Sequence, residues 1–544
     1  MGGTALAKET NSINTRLVLL GLMIGMFFSS LEQTVVGTAM PTIVGELNGF
    51  EIFAWVTTAY MITSTTIVPI VGKMSDLYGR RLLYLLGTII FIIGSGLCAT
   101  ATTMEQLVLY RGLQGIGGGM IMPLSQTIIG DIFTAEQRAK WQGAFGGLFA
   151  LSSVIGPFIG GFLVDTISWH WIFLINVPFG LLSAILIFIG LKRESAANPS
   201  NAPIDVWGIV TFVPALVLLL LGLTFGGDKF EWNSLTSYSM FGGSLLLFIA
   251  FALAERKAAE PILDLSLFKN RVFAVTNVLG FLLGLGMFGA IMFVPMFMQA
   301  ILGVSPTQAG STMTPMMIAL IVASVAGGQL LLRVRYRTVL FSGMLIAAVG
   351  FYLMSTMGIG TTSFTIYSFM VVLGLGMGLV MPTLTIVVQQ EFPKHRLGTV
   401  TSAATFFRSI GGTIGVTMLN VIMNHSIVAK MNDVLTDENV KSDPAIGGVL
   451  TGLSQNTDDL FGAMIYPKAL QQALQLTEET TEQVIHYVKV AWTGAFSHVF
   501  VIGLIFVALG IVTSLFVGSG KIQRDRRGKP EGEEAIAPKP ATEV

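Results

Sequence analysis

Charged residues are scarce in this chain. Asp, Glu, Lys and Arg make up 11% of its 544 residues, less than half the roughly 25% of a soluble globular domain. That excludes a water-soluble enzyme, a disordered scaffold and a nucleic-acid binder. The little charge present balances, 31 basic residues against 31 acidic, so no net field steers the chain toward nucleic acid. Cysteine is nearly absent: Cys98 alone excludes a disulfide framework and a cysteine-based metal centre. The five histidines (His170, His395, His425, His486, His498) are scattered, and no GxxxxGK[ST] run or nucleophile–base constellation occurs. Neither an enzyme, ATP-driven transport, a cofactor nor a metal is therefore expected. What is abundant is apolar side chain, at 53%, with a mean hydropathy of +0.74 and 62 glycines. Glycine-rich and charge-poor together read as packed transmembrane helices.

A helix crosses the hydrocarbon core with about 20 apolar residues. Fourteen segments qualify: 17–39, 53–71, 83–101, 105–130, 140–164, 171–191, 206–226, 238–254, 272–298, 308–332, 338–357, 363–388, 398–423 and 495–517. Span 1 is too long for a signal peptide and has no small-residue cleavage site after it. An even count puts both termini on one side. Lys229, Lys430, Lys441, Lys468 and Lys489 lie on the opposite side, Arg111 and Arg408 lie inside spans, and every other basic residue falls on the side of the termini. That asymmetry makes the termini cytoplasmic, in what reads as a bacterial plasma membrane. The one large loop, 424–494, is external. Within it Pro467–Val490 reads as an amphipathic helix starting at its proline, part of a small folded cap without a substrate role. The tail 518–544 begins Lys/Arg-rich, turns Pro/Glu/Ala-rich, and reads as disordered.

The chain also repeats itself. At one constant offset Gly115, Gly117, Gly119, Met122, Pro123, Phe133, Ala144, Ile155 and Gly156 meet Gly374, Gly376, Gly378, Met381, Pro382, Phe392, Ala403, Ile414 and Gly415. This maps spans 4–5 onto 12–13, eight spans apart in the same orientation. Two six-helix halves separated by two inserted helices explain that arithmetic. The expected organisation is a cytoplasmic segment 1–16, a first half 17–191, inserted helices within 192–271, a second half 272–517, and the tail.

Five stretches carry a family resemblance. The loop after span 2 reads Gly72-Lys-Met-Ser-Asp76-Leu-Tyr-Gly79-Arg80-Arg81. It resembles the loop signature of the major facilitator superfamily, which implies a role in closing the cytoplasmic side rather than in touching substrate. Span 4 carries Arg111-Gly-Leu-Gln114-Gly115-Ile-Gly117-Gly-Gly119, with Gly115 and Gly119 as a small-xxx-small face. It is similar to the superfamily motif whose arginine is linked to proton coupling. Gly156-Pro157-Phe-Ile-Gly160-Gly161 in span 5 looks like the signature of exporting, antiport members. Leu31-Glu32-Gln33-Thr34 through Pro41 resembles the span-1 motif of the fourteen-helix drug:proton antiporters, with Glu32 and Gly37 where that motif usually has Asp and Asn. Trp169 through Pro178 resembles the same branch.

Glu32 is the one carboxyl deep in a span. At about 1.5 Å per residue it lies roughly 22 Å from the cytoplasmic start of span 1, and Arg111 lies about 9 Å in from the opposite face. In a core of about 30 Å their depths coincide. If spans 1 and 4 touch, as the resemblance implies, the two charges can pair. Burial disfavours the carboxylate and the guanidinium favours it, a competition suited to a proton carrier, so Glu32 with Arg111 is the expected coupling pair. A static ion pair is the alternative. Arg408 lies about 15 Å into span 13 with no deep carboxylate of its own half. Glu32, an anionic lipid or substrate, or backbone carbonyls are its candidate partners.

For cargo, Phe288, Met292 and Met296 lie at i, i+4, i+8 in span 9, and pliable thioethers and aromatic faces suit varied hydrophobic or cationic ligands; a lipid-facing stripe is the alternative, and for any one of the three it is the preferred reading. Tyr60, Phe145, Phe149, Phe406 and Phe27 are further lining candidates, and Glu32, as the single deep carboxyl, is expected to meet the charge of a cationic cargo as well as to carry the proton. The expectation is a proton-driven, monomeric exporter of lipophilic, neutral or monovalent cationic small molecules, in contact with membrane lipids. A lipid or lipid-precursor translocase on the same fold is the alternative.

Overall fold

The computed structural model describes residues 14–47, 52–191, 204–227, 229–454, 460, 463–464, 467–518 and 520. Among them the chain is all-helical. The long helices are α1 (Thr15–Leu47), α2 (Phe53–Tyr78), α3 (Arg80–Cys98), α4 (Met104–Ile132), α5 (Ala135–Thr166), α6 (Asn176–Gly190, after a turn at Trp171–Leu174), α7 (Val206–Phe225), α8 (Leu235–Glu255), α9 (Arg271–Ala300), α10 (Met313–Leu331), α11 (Tyr336–Ser355), α12 (Ser363–Glu391), α13 (Leu397–Leu435) and α14 (Glu478–Ser514). Every predicted span falls on one of them. Eleven helical segments are long and apolar enough to cross a membrane. The other three, α2, α4 and α5, are as long but carry more serine, threonine, glycine and glutamine.

The repeat is visible in the packing. Helices α4 and α12 are both 29 residues long, with a proline at the same depth, Pro123 and Pro382. Thr103 and Thr362 cap them, each side chain accepting a backbone N–H three residues on. A Cβ on Gly115 or Gly119 would run into the backbone of α2, and one on Gly117 into α3. In the same register Gly374 and Gly378 abut α10, and Gly376 abuts α11. The glycines are there because two neighbours approach within backbone contact, which membrane helices use in place of a hydrophobic driving force. Gly156 likewise lies against Thr34 of α1, and Gly411 and Gly415 against the backbone of α9.

Helices α7 and α8 pack against each other and cover the seam between α2 and α13. Phe212 and Leu216 of α7 share a buried cluster with Ile62 and Val68 of α2 and with Ala403 and Ile410 of α13.

One expectation about the large loop is corrected. Pro467–Val490 is not one helix: a short helix Pro467–Leu474 ends at Gln475, whose φ is +52°, and α14 restarts at Glu478. The restart is dictated locally, since Thr477 caps the new helix and Glu478 and Glu479 sit in its first turn. The segment 424–494 is helical at both ends, because α13 and α14 both run beyond the predicted spans. Its buried Val440, Ile446 and Leu450 join the core cluster of the second set of helices. The predicted tail from 521 on, and residues 1–13, lie outside the described residues.

Candidate functional site

Three structures within the bundle bear on function: a buried ion pair, a closure at the end carrying the termini, and a cavity.

The ion pair joins α1 to α4. Arg111 Nη1 donates to Glu32 Oε1 at 2.6 Å, and both side chains are essentially sealed, at 2% and 0% exposure. Arg111 Nε donates to the Val56 carbonyl at 3.2 Å and Nη1 also to Gln114 Oε1 at 2.8 Å. The second carboxylate oxygen accepts a short hydrogen bond from Asn176 Nδ2 of α6. Ser95 of α3 ties the shell together, accepting from Gln114 at 3.0 Å and from Asn176 at 3.0 Å. Asn176 and Gln114 are not among the sequence candidates, although an asparagine opening a very apolar helix is a usable signal. Removing one partner from such a pair leaves an uncompensated charge, at a cost of about 3–5 kcal/mol. Tyr60 touches both the pair and the cavity: Arg111 lies 4.3 Å from its ring centroid, and Tyr60 is among the residues that line the cavity.

The closure is built on the loop between α2 and α3. Gly79 has φ +91°, a conformation that glycine tolerates and other residues resist. Asp76 crosses to the start of α13, accepting from Gly398 N at 2.8 Å, Thr399 N at 2.7 Å and Thr399 Oγ1 at 2.6 Å. Orphan N–H groups at a helix start favour an anion there. Arg80 pairs with Asp76 at 2.6 Å and Asp131 at 3.0 Å, and donates to the Lys394 carbonyl at 3.2 Å. Gly72 and Gly398 face each other at the crossing, each leaving no room for a Cβ. Gln389 adds bonds to Gln126 O at 3.3 Å and Thr401 Oγ1 at 3.1 Å. Arg81 stays outside this network, its guanidinium 4.2 Å from the Phe188 ring centroid.

The cavity has a volume of about 1500 Å³ and runs from mid-bundle toward the end opposite the termini, where Trp232, Asn424, His425 and Ser454 line it. Tyr60, Phe145, Phe288 and Arg408 are among its walls. Other predicted liners are elsewhere. Met292 is 46% exposed on the outer face, and Met296 packs against the core. The physical reason is helical drift, since each i+4 step overshoots one turn by about 40°, so the cavity face of α9 is Met287, Phe288 and Ile291. Phe406 turns from the cavity to α7, its ring 5.5 Å from that of Phe212. Phe27 packs edge-on against Phe28. The side chains of Phe149 and Pro157 lie outside the described residues; Gly160 is buried in α5. Glu32 does not line the cavity, so it cannot meet a ligand's charge there in this state. Sequence reasoning missed the polar liners Ser30, Gln33 and Asn420, which recur at helical spacing on otherwise apolar faces. Ser454 of the large loop is among the residues that line the cavity.

The family model described as Major Facilitator Superfamily matches residues 22–416. The chain belongs to that superfamily. It is 44% identical over 543 residues to the "Multidrug transporter protein MdtP" of Bacillus subtilis (strain 168), covering 98% of this chain and 99% of that one. It is 37% identical over 520 residues to "Multidrug resistance protein 3" of the same organism, covering 96% and 98%. Among solved structures the proton:xylose symporter XylE superposes with a TM-score of 0.53 at 13% identity, covering 93% of this chain and 97% of that one, a likeness of fold. The protein is thus a multi-pass membrane transporter and not an enzyme.

Proposed function

We propose that this protein is a proton-coupled antiporter that exports lipophilic small molecules from the cytoplasm or inner leaflet of a bacterial plasma membrane. The observation that carries the reading is a sealed Glu32–Arg111 pair one tyrosine ring away from a large cavity closed at the end of the termini. On this reading all fourteen long helices cross the membrane, the termini are cytoplasmic, and residues 17–191 and 272–517 are halves that rock about the cavity. The protein acts as a monomer and needs no cofactor. The names of its two Bacillus relatives support multidrug cargo.

Protonation of Glu32 removes its charge from Arg111 and frees the guanidinium to repartner. Helix α4 carries Arg111 and, two turns on, Gly118, Gly119 and Met122 in the cavity wall, so a shift of this helix reaches the cargo site without the proton and cargo sharing a group. Neutral cargo fits this separation, and the case for monovalent cations rests on the aromatic faces of Tyr60 and Phe288. Purified protein in liposomes tests the reading through dye export driven by a pH gradient, with Glu32→Gln beside it. A lipid translocase is favoured instead if lipid flipping is present where dye export is absent.

A further inference from the structure

Arg408 is the one Lys or Arg in the described lining of the cavity, and no described residue neutralises it. It lines the cavity from α13, yet has no hydrogen bond or ion pair among the described residues. The described lining offers one carboxylate, Glu231, in the connection between α7 and α8 at the cavity mouth. Glu32 is committed to Arg111 and Asn176. An intramembrane guanidinium without a partner is costly and points to function.

Its placement is rigid. A Cβ on Gly284 of α9 would strike the Arg408 carbonyl, and Gly411 and Gly415 lock the following turns of α13 against the same helix. The backbone that presents the side chain to the cavity is therefore fixed in position. Around it the wall is amphipathic. Ser409, Thr413 and Asn420 continue a polar ribbon along α13, whereas Met287, Phe288 and Met381 face it with apolar surface. A planar, permanently charged fork beside thioether and aromatic walls matches an acidic headgroup on a lipophilic body.

We infer that Arg408 forms an anion subsite of the transport cavity, so that its cargo includes lipophilic acids bearing a carboxylate or phosphate-type group. This deepens the export reading and rests on the cavity being its cargo site. Bonds to a charged group make the acid roughly ten- to a hundredfold tighter than a neutral isostere.

The test uses full-length protein in phosphatidylcholine nanodiscs and a matched pair of probes, dansyl-undecanoic acid and its methyl ester, followed by dansyl fluorescence. The expected result is an acid-over-ester preference of at least tenfold, collapsing toward one in Arg408→Ala and partly restored in Arg408→Lys. Monodispersity and thermal melting of both variants report folding. No acid preference in the unmodified protein, or the same preference in Arg408→Ala, overturns the subsite. Nanodiscs with excess phosphatidylglycerol separate two sources of the same chemistry: displacement of the acid assigns a lipid headgroup, and no displacement assigns a free amphiphilic acid. If neither probe binds while ethidium is exported under a pH gradient, the subsite fails and the export reading stands. If the acid preference holds but nothing is exported, the export reading fails and the subsite stands.

Discussion

The closure at the end of the termini makes a quantitative prediction for Asp76→Asn. The wild-type carboxylate is 7% exposed and accepts three bonds from Gly398 and Thr399 at 2.6–2.8 Å while pairing with Arg80. Asparagine keeps one acceptor oxygen but loses the charge. It therefore gives up at least one charge-assisted bond, worth about 1.5–3 kcal/mol, and the attraction of an anion for a helix start, about 0.3–1 kcal/mol. Arg80 retains Asp131, which limits the secondary cost. The net is about 3 kcal/mol, and these bonds span α2 and α13, so all of it is lost when the two helices separate. At about 1.4 kcal/mol per tenfold, the equilibrium shifts roughly 100-fold toward opening at this end.

Ser402 is the reporter position. It is 1% exposed at the α2–α13 crossing and its hydroxyl has no hydrogen-bond partner among the described residues, so Ser402→Cys breaks no bond there. The native Cys98 is fully buried and gives a slow background. Reaction of the thiol introduced by Ser402→Cys with a water-soluble maleimide in detergent should accelerate up to about 100-fold when Asp76→Asn is added, levelling off once the open form dominates. A rate within about threefold of the Ser402→Cys parent would refute the argument, because Asp76 would then not be restraining this end.

Glu32→Gln mimics the protonated carboxyl while preserving an acceptor for Arg111, so the protein should fold but lose pH-gradient-driven export by more than tenfold in liposomes; full export retained would leave the pair a static brace. Gly374→Val should abolish folded yield in fluorescence-detected gel filtration, since the new side chain collides with the Met316 carbonyl, whereas Gly37→Ala, with open space around it, should melt within a degree or two of wild type. Thr477→Ala removes the cap of α14 and should cost about 1 kcal/mol, read as faster hydrogen exchange confined to the first turns of that helix.

Much of the fold could be read from the sequence because two signals are local. Twenty-residue apolar runs need no partner to be recognised, and the offset glycines of α4 and α12 mark close helix contacts wherever they fall. Helix ends in the large loop were less legible because capping at Thr477 competes with a continuous amphipathic pattern over Pro467–Val490. At the site, the common level of Glu32 and Arg111 was legible in the sequence because depth depends on rise alone. Orientation about the helix axis depends on neighbours that the sequence does not display. For that reason Phe288 faces the cavity while Met292 and Phe406 do not.

The separation of Glu32 from the cavity constrains any coupling scheme. A carboxylate shared by proton and drug would link the two by direct competition, and charge-matched cargo would be mandatory. Here Glu32 is not among the residues that line the cavity, so on the proposed mechanism linkage has to pass through helix position. The structure supplies one short route: α4 is clamped to α2 at Gly115 and Gly119 and to α3 at Gly117, with backbone contacts that cannot stretch. A change in the hold of Glu32 on Arg111 would then move these helices as a unit, and α2 carries Asp76 at its far end. The same rigidity would connect the proton site to the closure as well as to the cavity wall. Enlarging Gly119 to alanine, which would press on the Ser64 carbonyl, should therefore weaken coupling, measured as dye exported per proton admitted, more than it weakens dye binding. An equal loss of both would place the linkage elsewhere.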